Sequence, residues 1–320
     1  MTAGQFRTFE VTLPMAHALC IEHGLAAPTG VRRVTKGEVS AVFSIDLADG
    51  QGAVLKVYLR NQEPRVLVAE DEVLGHLRRH SVLPVPAWSI LDLNGGQLGW
   101  PHALHQRLPG LDADTVLERL ELAESARLLR RCGEMLSRLH RVSLSGSGLQ
   151  RAGLPTAEDW AAIQDAEFDL ALERLRGQGW LEERLLERAA QVWAIGREIR
   201  QLPFDPVLCH GDYQLWNILV DPETLVPTGL LDLGQAYPGP AAADFRDMEL
   251  NLFGNSPRLR SAFLQGYGWD DFDERERERL RQAALCRALA LMSAYWGPTK
   301  QITPATVWHL LAPWSEDAEA

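Results

Sequence analysis

The stretch from Val207 to Gly234 constrains this chain more than any other feature. It reads Val207-Leu208-Cys209-His210-Gly211-Asp212, and Asn217 follows Asp212 after four residues, just before the apolar run Ile218-Leu219-Val220. A turn at Asp221-Pro222-Glu223 and a second extended run, Thr228–Leu231, lead to Asp232-Leu233-Gly234. Two short extended runs around a turn pair as a β-hairpin, which brings Asn217 and Asp232 together at one end of the ribbon. Oxygen donors meeting there suit Mg2+, which takes hard ligands and keeps waters and substrate phosphates for the rest. Asp212, close by in the chain, can accept the proton of a hydroxyl aimed at a phosphate. A lone Asp or Asn in a loop is usually a turn or cap residue. Here fixed offsets, a hairpin and an Asp-x-Gly end coincide, a set that average composition makes rare by chance.

His-x-Asp, four residues and Asn is also the spacing of the catalytic loop in protein-kinase-like phosphotransferases. That chemistry makes demands elsewhere. It needs a lysine on the third strand of a small sheet, and Ala53-Val54-Leu55-Lys56-Val57-Tyr58 supplies Lys56 among apolar residues. A charge within a buried strand needs a partner, and the following helix offers Glu70, Asp71 and Glu72. Glu70 shares a helical face with Leu74 and Leu77 and is the preferred partner; Glu72 stays open. The turn Lys36-Gly37-Glu38-Val39-Ser40 has one glycine, so backbone amides and the Ser40 hydroxyl would hold the phosphates. No G-x-x-x-x-G-K-[ST] occurs, which removes the Walker-type alternative. Gly146-x-Gly148 has Arg151 where a dinucleotide fingerprint needs glycine, and no strand precedes it.

Around this segment the texture changes once. Val31–Val34, Ala41–Leu47 and Ala53–Leu59 read as strands, the last two joined through Asp49-Gly50. Val66, Ala69, Val73, Leu74 and Leu77 recur at helical spacing, up to Leu83-Pro84-Val85-Pro86, where prolines enforce extended backbone. Trp88–Leu93 and Leu98–Gln106 complete a small β-rich lobe with one main helix. From Leu108-Pro109-Gly110 onward helical patterns dominate, at 114–141, at 156–200 as two or three helices, and after Leu233; Ser143–Gly153 reads as a loop and the tail from Ser315 as frayed. With 320 residues, the expected class is α+β with two lobes, 1–107 and 108–320.

Composition narrows the partners. A hydrophobic fraction of 46% and a charged fraction of 23% exclude wholesale disorder. A net charge of −11 argues against gripping nucleic acid or an anionic membrane and leaves a small molecule as the expected partner, with the oligomeric state open. The four cysteines form no C-x-x-C pair, so no zinc or redox motif is signalled. No signal-peptide pattern is visible, and the longest apolar run, Ala283–Trp296, is interrupted by Arg287, so a cytoplasmic location is expected. Asp159, Asp165, Glu167, Asp169, Asp271 and Asp273 could face a cationic acceptor, but each reads more simply as a helix face or cap. The alternating run Asp273–Arg279 reads as an exposed helix.

These features together resemble the aminoglycoside phosphotransferase-like family of small-molecule kinases, which includes choline, homoserine, fructosamine and macrolide kinases. His210-Gly211-Asp212, Asn217 and Asp232 look like that family's catalytic loop and metal aspartate, with Gly where protein kinases typically carry Arg. Cys132–His140 resembles the family's helix ending in Leu-His, Leu83–Pro86 its Pro-x-Pro turn, and Phe263–Gly268 its C-terminal Gly-Tyr segment. Asp244 looks like its structural aspartate. The resemblance spans residues 31–296 and implies a protein-kinase-like bilobal fold that moves the γ-phosphate of ATP or GTP to a small-molecule hydroxyl. It implies Asp212 as base, Asn217 and Asp232 on Mg2+, Lys56 steadied by Glu70 on the phosphates, and Gln106 to Leu108 as the hinge holding adenine. Two rivals remain. A protein kinase needs a peptide platform, yet only twelve positions separate Asp232 from Asp244. A catalytically silent nucleotide-binding module usually lacks a metal or base residue, and this chain has them all.

Overall fold

The computed structural model describes residues 9–34, 40–59, 65–81, 83–144, 156–294 and 302–311. The chain runs Leu13–Glu22 (α1), Pro28–Val34 (β1), Ala41–Leu47 (β2), Gly52–Val57 (β3), Arg65–His80 (α2), Ser89–Asp92 (β4) and His102–Gln106 (β5). Then come Leu111–Asp112 (β6), Ala113–Leu117 (α3), Leu122–His140 (α4), Trp160–Gln178 (α5), Glu183–Ile195 (α6) and Arg197–Gln201 (α7). Val207–Cys209 (β7), Ile218–Val220 (β8), Pro227–Leu230 (β9) and Tyr237–Gly239 (β10) follow. Arg246–Asn251 (α8), Pro257–Tyr267 (α9), Glu274–Ala294 (α10) and Pro304–Leu311 (α11) complete it. The described residues up to Val116 and those of Leu215–Ala236 form one compact unit; Leu117–Leu144, 156–214 and those from Tyr237 on form another. The first unit thus runs past residue 107 and takes in the β8–β9 ribbon, because β6 pairs with β8 and Leu230 N donates to Pro84 O at 2.8 Å.

In the first unit an antiparallel sheet has the order β1-β2-β3-β5-β4. Strict alternation in β2 buries Ala41, Phe43, Ile45 and Leu47 on one face, joined there by Ala53, Leu55 and Val57 of β3. Ala16, Leu19 and Cys20 of α1 close that core. The small lobe therefore has a second helix, which the sequence reading lacked. The apolar residues of α1 lie all round it, so no stripe announces it; Thr12 Oγ1 accepts from Met15 N at 3.4 Å and Pro14 opens the first turn. The strand expected over Leu98–Gln106 begins only at His102, since Gly96–Leu98 forms a 3-10 turn, Gly99 turns left-handed and Pro101 lacks a donor. On the opposite face of the sheet, Leu67 of α2 packs on Tyr58 and Ala103, the latter paired with Lys56. Glu70 follows Leu67 by one helical turn.

In the second unit α5, α6, α10 and α11 share a core that includes Phe168, Leu175, Leu186, Leu289 and Val307. Three helices, α5, α6 and α7, occupy the span where two or three were expected. The run Asp273–Arg279 departs from a fully exposed helix. Arg279 is buried, with Nη1 2.6 Å from Glu276 Oε1 and Nη2 donating to the carbonyls of Leu202 and Pro203. A guanidinium can be buried where it finds acceptors for its fork. All four cysteines are buried and none forms a disulfide. No helix among the described residues is long and apolar enough to cross a membrane. Lys36–Val39, 145–155 (with Gly146 and Gly148) and the tail from 312 lie outside the described residues.

α4 and α9 cross at two glycines. A Cβ on Gly133 would lie 2.0 Å from Phe263 O, and one on Gly266 would lie 1.9 Å from Arg130 O. This approach sets the ends of the two helices, His140 and Tyr267, against each other at 2.7 Å. Gly133→Ala and Gly266→Ala should each cost about 1–3 kcal/mol or more through overpacking. The measurement is a lowered denaturant midpoint at unchanged m-value. Gly177→Ala on the exposed side of α5, where nothing lies within 4 Å, is the control and should not lose stability.

Candidate active site

Two groups of side chains carry the sequence-predicted residues, one in each unit. In the first, Lys56 leaves β3 on the α2 side, and its Nζ lies 2.7 and 2.9 Å from the Glu70 carboxylate oxygens. The same Nζ lies 3.1 Å from Asp232 Oδ1. Glu70, not Glu72, is thus the carboxylate at Lys56, and it is only 4% exposed. Burial works against the ammonium charge, but Asp232 and Glu70 outweigh it and hold the Lys56 pKa above its ordinary value. The ion pair therefore contributes fully through the neutral range, and its contribution is lost as pH rises from the ordinary lysine value toward that elevated one. His105 Nε2 lies 3.8 Å from Glu70, and burial pushes this imidazole below its usual pKa, toward the neutral form.

The hairpin forms, with Ile218 opposite Leu230 and Leu219 opposite Gly229. Leu231 N then donates to Asn217 O at 2.9 Å, so Asn217 and Asp232 stand at the same end of the ribbon. Asp232 adopts φ 61, ψ 55, a left-handed conformation that aspartate tolerates better than most residues. It starts a 3-10 turn, Leu233–Gln235. In that turn a Cβ on Gly234 would lie 2.5 Å from Val66 Cγ1 and 2.9 Å from Val66 O, so glycine lets α2 close on the turn. The Asn217 amide is buried and the Asp232 carboxylate is half exposed. A carboxylate and an amide oxygen are both hard donors, so the chemistry of this set fits Mg2+.

Ser40 sits half-buried before β2, and the turn preceding it lies outside the described residues. Gln106 ends β5, its N–H bonded to Trp88 O at 3.2 Å and its side-chain Oε1 accepting from Ala87 N at 2.8 Å. The half-buried Leu108 side chain packs against Gly229 of β9. No hydrogen bond or ion pair links Ser40, Gln106 or Leu108 to the Lys56 group among the described residues.

In the second unit the His210-Gly211-Asp212 loop is fixed from behind. The Asp244 carboxylate accepts from His210 N at 2.6 Å and Gly211 N at 2.8 Å. His140 Nε2 reaches the same carboxylate at 3.1 Å, and since a carboxylate only accepts, that nitrogen carries the proton. Burial alone would raise the Asp244 pKa, but these hydrogen bonds outweigh it and hold the carboxyl below its ordinary range. Arg246 Nη2 donates to Gly211 O at 2.7 Å. Cys209 lies beside His140 and Asp244, but its Sγ donates to Pro240 O at 3.5 Å, and both Asp244 oxygens are taken up by the two backbone amides and His140, so hydrogen bonds account for this cluster.

Asp212 Oδ1 accepts from Arg287 Nη2 at 2.6 Å and from Gln214 Nε2 at 2.7 Å. Arg287 Nε also donates to Asp247 Oδ1 at 2.9 Å, and Asn251 Nδ2 donates to Gln214 Oε1 at 2.8 Å. Burial works against the Arg287 charge, but the two carboxylates hold its pKa above the ordinary value. Sequence reasoning missed Arg287, Gln214 and Asp247 as neighbours of Asp212; the available signal was a lone arginine in an apolar helical run. Most of the acidic residues weighed for a cationic acceptor are engaged. Asp159 and Asp273 cap helix starts, Asp165 pairs with Arg200 and Trp193, and Asp271 pairs with Arg260 and Arg277.

Residues 30–282 match the phosphotransferase enzyme family. The streptomycin 3''-kinase of Streptomyces griseus is 30% identical over 195 residues, 58% of this chain and 68% of the relative. The solved GDP and kanamycin complex of APH(2")-IIia has a TM-score of 0.69 at 16% identity, covering 94% of this chain and 97% of that one. Macrolide 2'-phosphotransferase type I has a TM-score of 0.65 at 18% identity, covering 96% and 100%. At such identities the likeness speaks for the fold, which is α+β and protein-kinase-like, with a small β-rich lobe and a larger, mostly helical one. With most of its length inside one family, the chain belongs to the phosphotransferase enzyme family and is a small-molecule kinase of the aminoglycoside phosphotransferase-like type.

Proposed function

We propose that this kinase moves the γ-phosphoryl group of ATP or GTP to a hydroxyl of a small molecule, with Asp212 as base. The observation that carries the reading is Lys56, gripped by the buried Glu70 and touching Asp232. A lysine so oriented presents a compact positive charge to α- and β-phosphate oxygens. The sheet already uses the Gln106 and Arg107 amides, bonded to Trp88 O and Gly52 O, which narrows the hinge donor for the nucleotide base to Leu108. The Ser40 hydroxyl, at the start of β2, serves the phosphates.

In the step itself the acceptor O–H bond breaks and its proton passes to the Asp212 carboxylate. A new bond joins the acceptor oxygen to the γ-phosphorus while the bond to the β,γ-bridging oxygen breaks, releasing nucleoside diphosphate. Asn217 and Asp232 would hold Mg2+, which neutralises charge on the phosphate oxygens when bound. Most of the rate comes from positioning and from charges already in place. GDP in one related structure supports a nucleotide donor, and the streptomycin, kanamycin and macrolide in the relatives' names define the first acceptors to try. A cytoplasmic location follows from the need for nucleoside triphosphate.

Asp212→Ala should fold and bind nucleotide normally but lose phosphoryl transfer by at least about a hundredfold, the lower end of general-base effects. Retained turnover in a coupled assay for diphosphate release, run over aminoglycosides, amino alcohols, sugars, fructosamines and macrolides, would contradict the base assignment. Asp232→Asn should raise the Mg2+ concentration needed for half-maximal turnover by about tenfold or more, as loss of a ligand charge does. An unchanged Mg2+ titration would remove Asp232 from the metal.

A further inference from the structure

One cation interrupts the apolar C-terminal half of α10. α10 buries Ala283, Ala284, Leu285, Cys286, Ala288, Leu289 and Met292, and Arg287 stands among them with a side chain only 20% exposed. A guanidinium there has to find acceptors to offset its lost hydration. It finds two, Asp247 through Nε and Asp212 through Nη2. Asp247 alone, 2% exposed on the neighbouring α8, would answer the burial problem. The second contact goes to the side chain of a loop whose backbone Asp244 already secures. Gln214, itself braced by Asn251 of α8, donates to the same Asp212 oxygen. One oxygen of a short, rotatable carboxylate is therefore fixed by two donors, one carried by α10 and one in the loop braced from α8.

We propose that Arg287 is a positioning residue for phosphoryl transfer: anchored on Asp247, it sets the orientation of the Asp212 carboxylate toward the acceptor hydroxyl. The inference rests on the reading of Asp212 as base. The planar fork of arginine can serve two carboxylates at once in fixed geometry, which a single ammonium on a flexible stem does not reproduce. Asp247 acts at one remove, by holding Arg287. A base turned away from its hydroxyl lowers the rate of the chemical step and leaves nucleotide binding alone, because Lys56, Glu70 and Asp232 do not depend on Arg287.

The experiment uses the purified full chain, with Mg2+-dependent nucleotide turnover measured without an acceptor and with each of the aminoglycosides, including streptomycin and kanamycin, amino alcohols, sugars, fructosamines and macrolides of the acceptor screen. Arg287→Ala, Arg287→Lys, Asp247→Asn and Asp212→Ala are compared with the wild type, alongside thermal melts and binding of a fluorescent GDP analogue. Arg287→Ala is expected to lose about 10- to 100-fold in kcat, the size of a lost charge-assisted hydrogen bond, with GDP-analogue affinity unchanged. Added guanidinium ion should restore part of that kcat, which a merely structural defect would not allow. Arg287→Lys should be intermediate, and Asp247→Asn should lower kcat less than Arg287→Ala. A folded Arg287→Ala with wild-type kcat, or a loss that guanidinium leaves untouched, overturns the inference while Asp212→Ala still upholds the base. Should Arg287→Ala fail to fold, Arg287→Lys decides, and wild-type kcat in that variant overturns it. No turnover by the wild type, or equal turnover by Asp212→Ala, overturns the reading of the site and the inference with it.

Discussion

A buried carboxylate organises the catalytic loop. Asp244 is 2% exposed, and an ion so placed is tolerable only when every oxygen is served. Two consecutive backbone amides and the His140 ring serve it, and the net effect is a carboxyl held below its usual pKa despite burial. Much of the second unit supports this one group. The glycine crossing of α4 and α9 puts Tyr267 on His140; the next residue in the chain, Phe245, lies among Phe263, Tyr267, Trp269 and Phe272 with ring centroids 5.0–5.6 Å away. Arg246 then takes the Gly211 carbonyl. The backbone at His210 and Gly211 is thus bonded through both its donors and an acceptor.

The first unit solves a different problem by similar means. Strand alternation sends Leu55 and Val57 into the apolar core and Lys56 to the other face, where α2 supplies Glu70 one turn beyond its contact at Leu67. The strained backbone of Asp232 and the missing Cβ of Gly234 let the end of the ribbon meet the same helix and the same lysine. Backbone strain of this kind, about 1–3 kcal/mol, persists where the surroundings over-determine it. In both units a charged group is held by partners on other elements, so function and packing share the same contacts.

The loop and ribbon were legible in the sequence because their chemistry demands particular residue types at fixed offsets. Lys56 followed from the lysine that such a loop demands on a third strand, and Glu70 from the helical face it shares with Leu74 and Leu77. What escaped notice carries no local pattern. α1 is apolar all round, so its existence depends on a sheet face it helps to cover. Arg279 reads like its exposed neighbours until Leu202 and Pro203 offer carbonyls from a distant part of the chain. Arg287 was visible only as an interruption of an apolar run; its partners Asp212 and Asp247 lie 75 and 40 residues away. Long-range pairing of polar groups is set by tertiary packing, which spacing along one element does not encode.

The four cysteines have a practical consequence. Burial keeps each thiol protonated, with Cys132 pushed up to about 12 and Cys20, Cys209 and Cys286 also raised. Nucleophilic sulfur is the thiolate, so none of them reacts readily while its surroundings stay closed. Reaction with a thiol-directed label therefore clocks local opening, and the chain carries its own reporters: Cys20 for the sheet-bearing unit, and Cys132, Cys209 and Cys286 for the helical one.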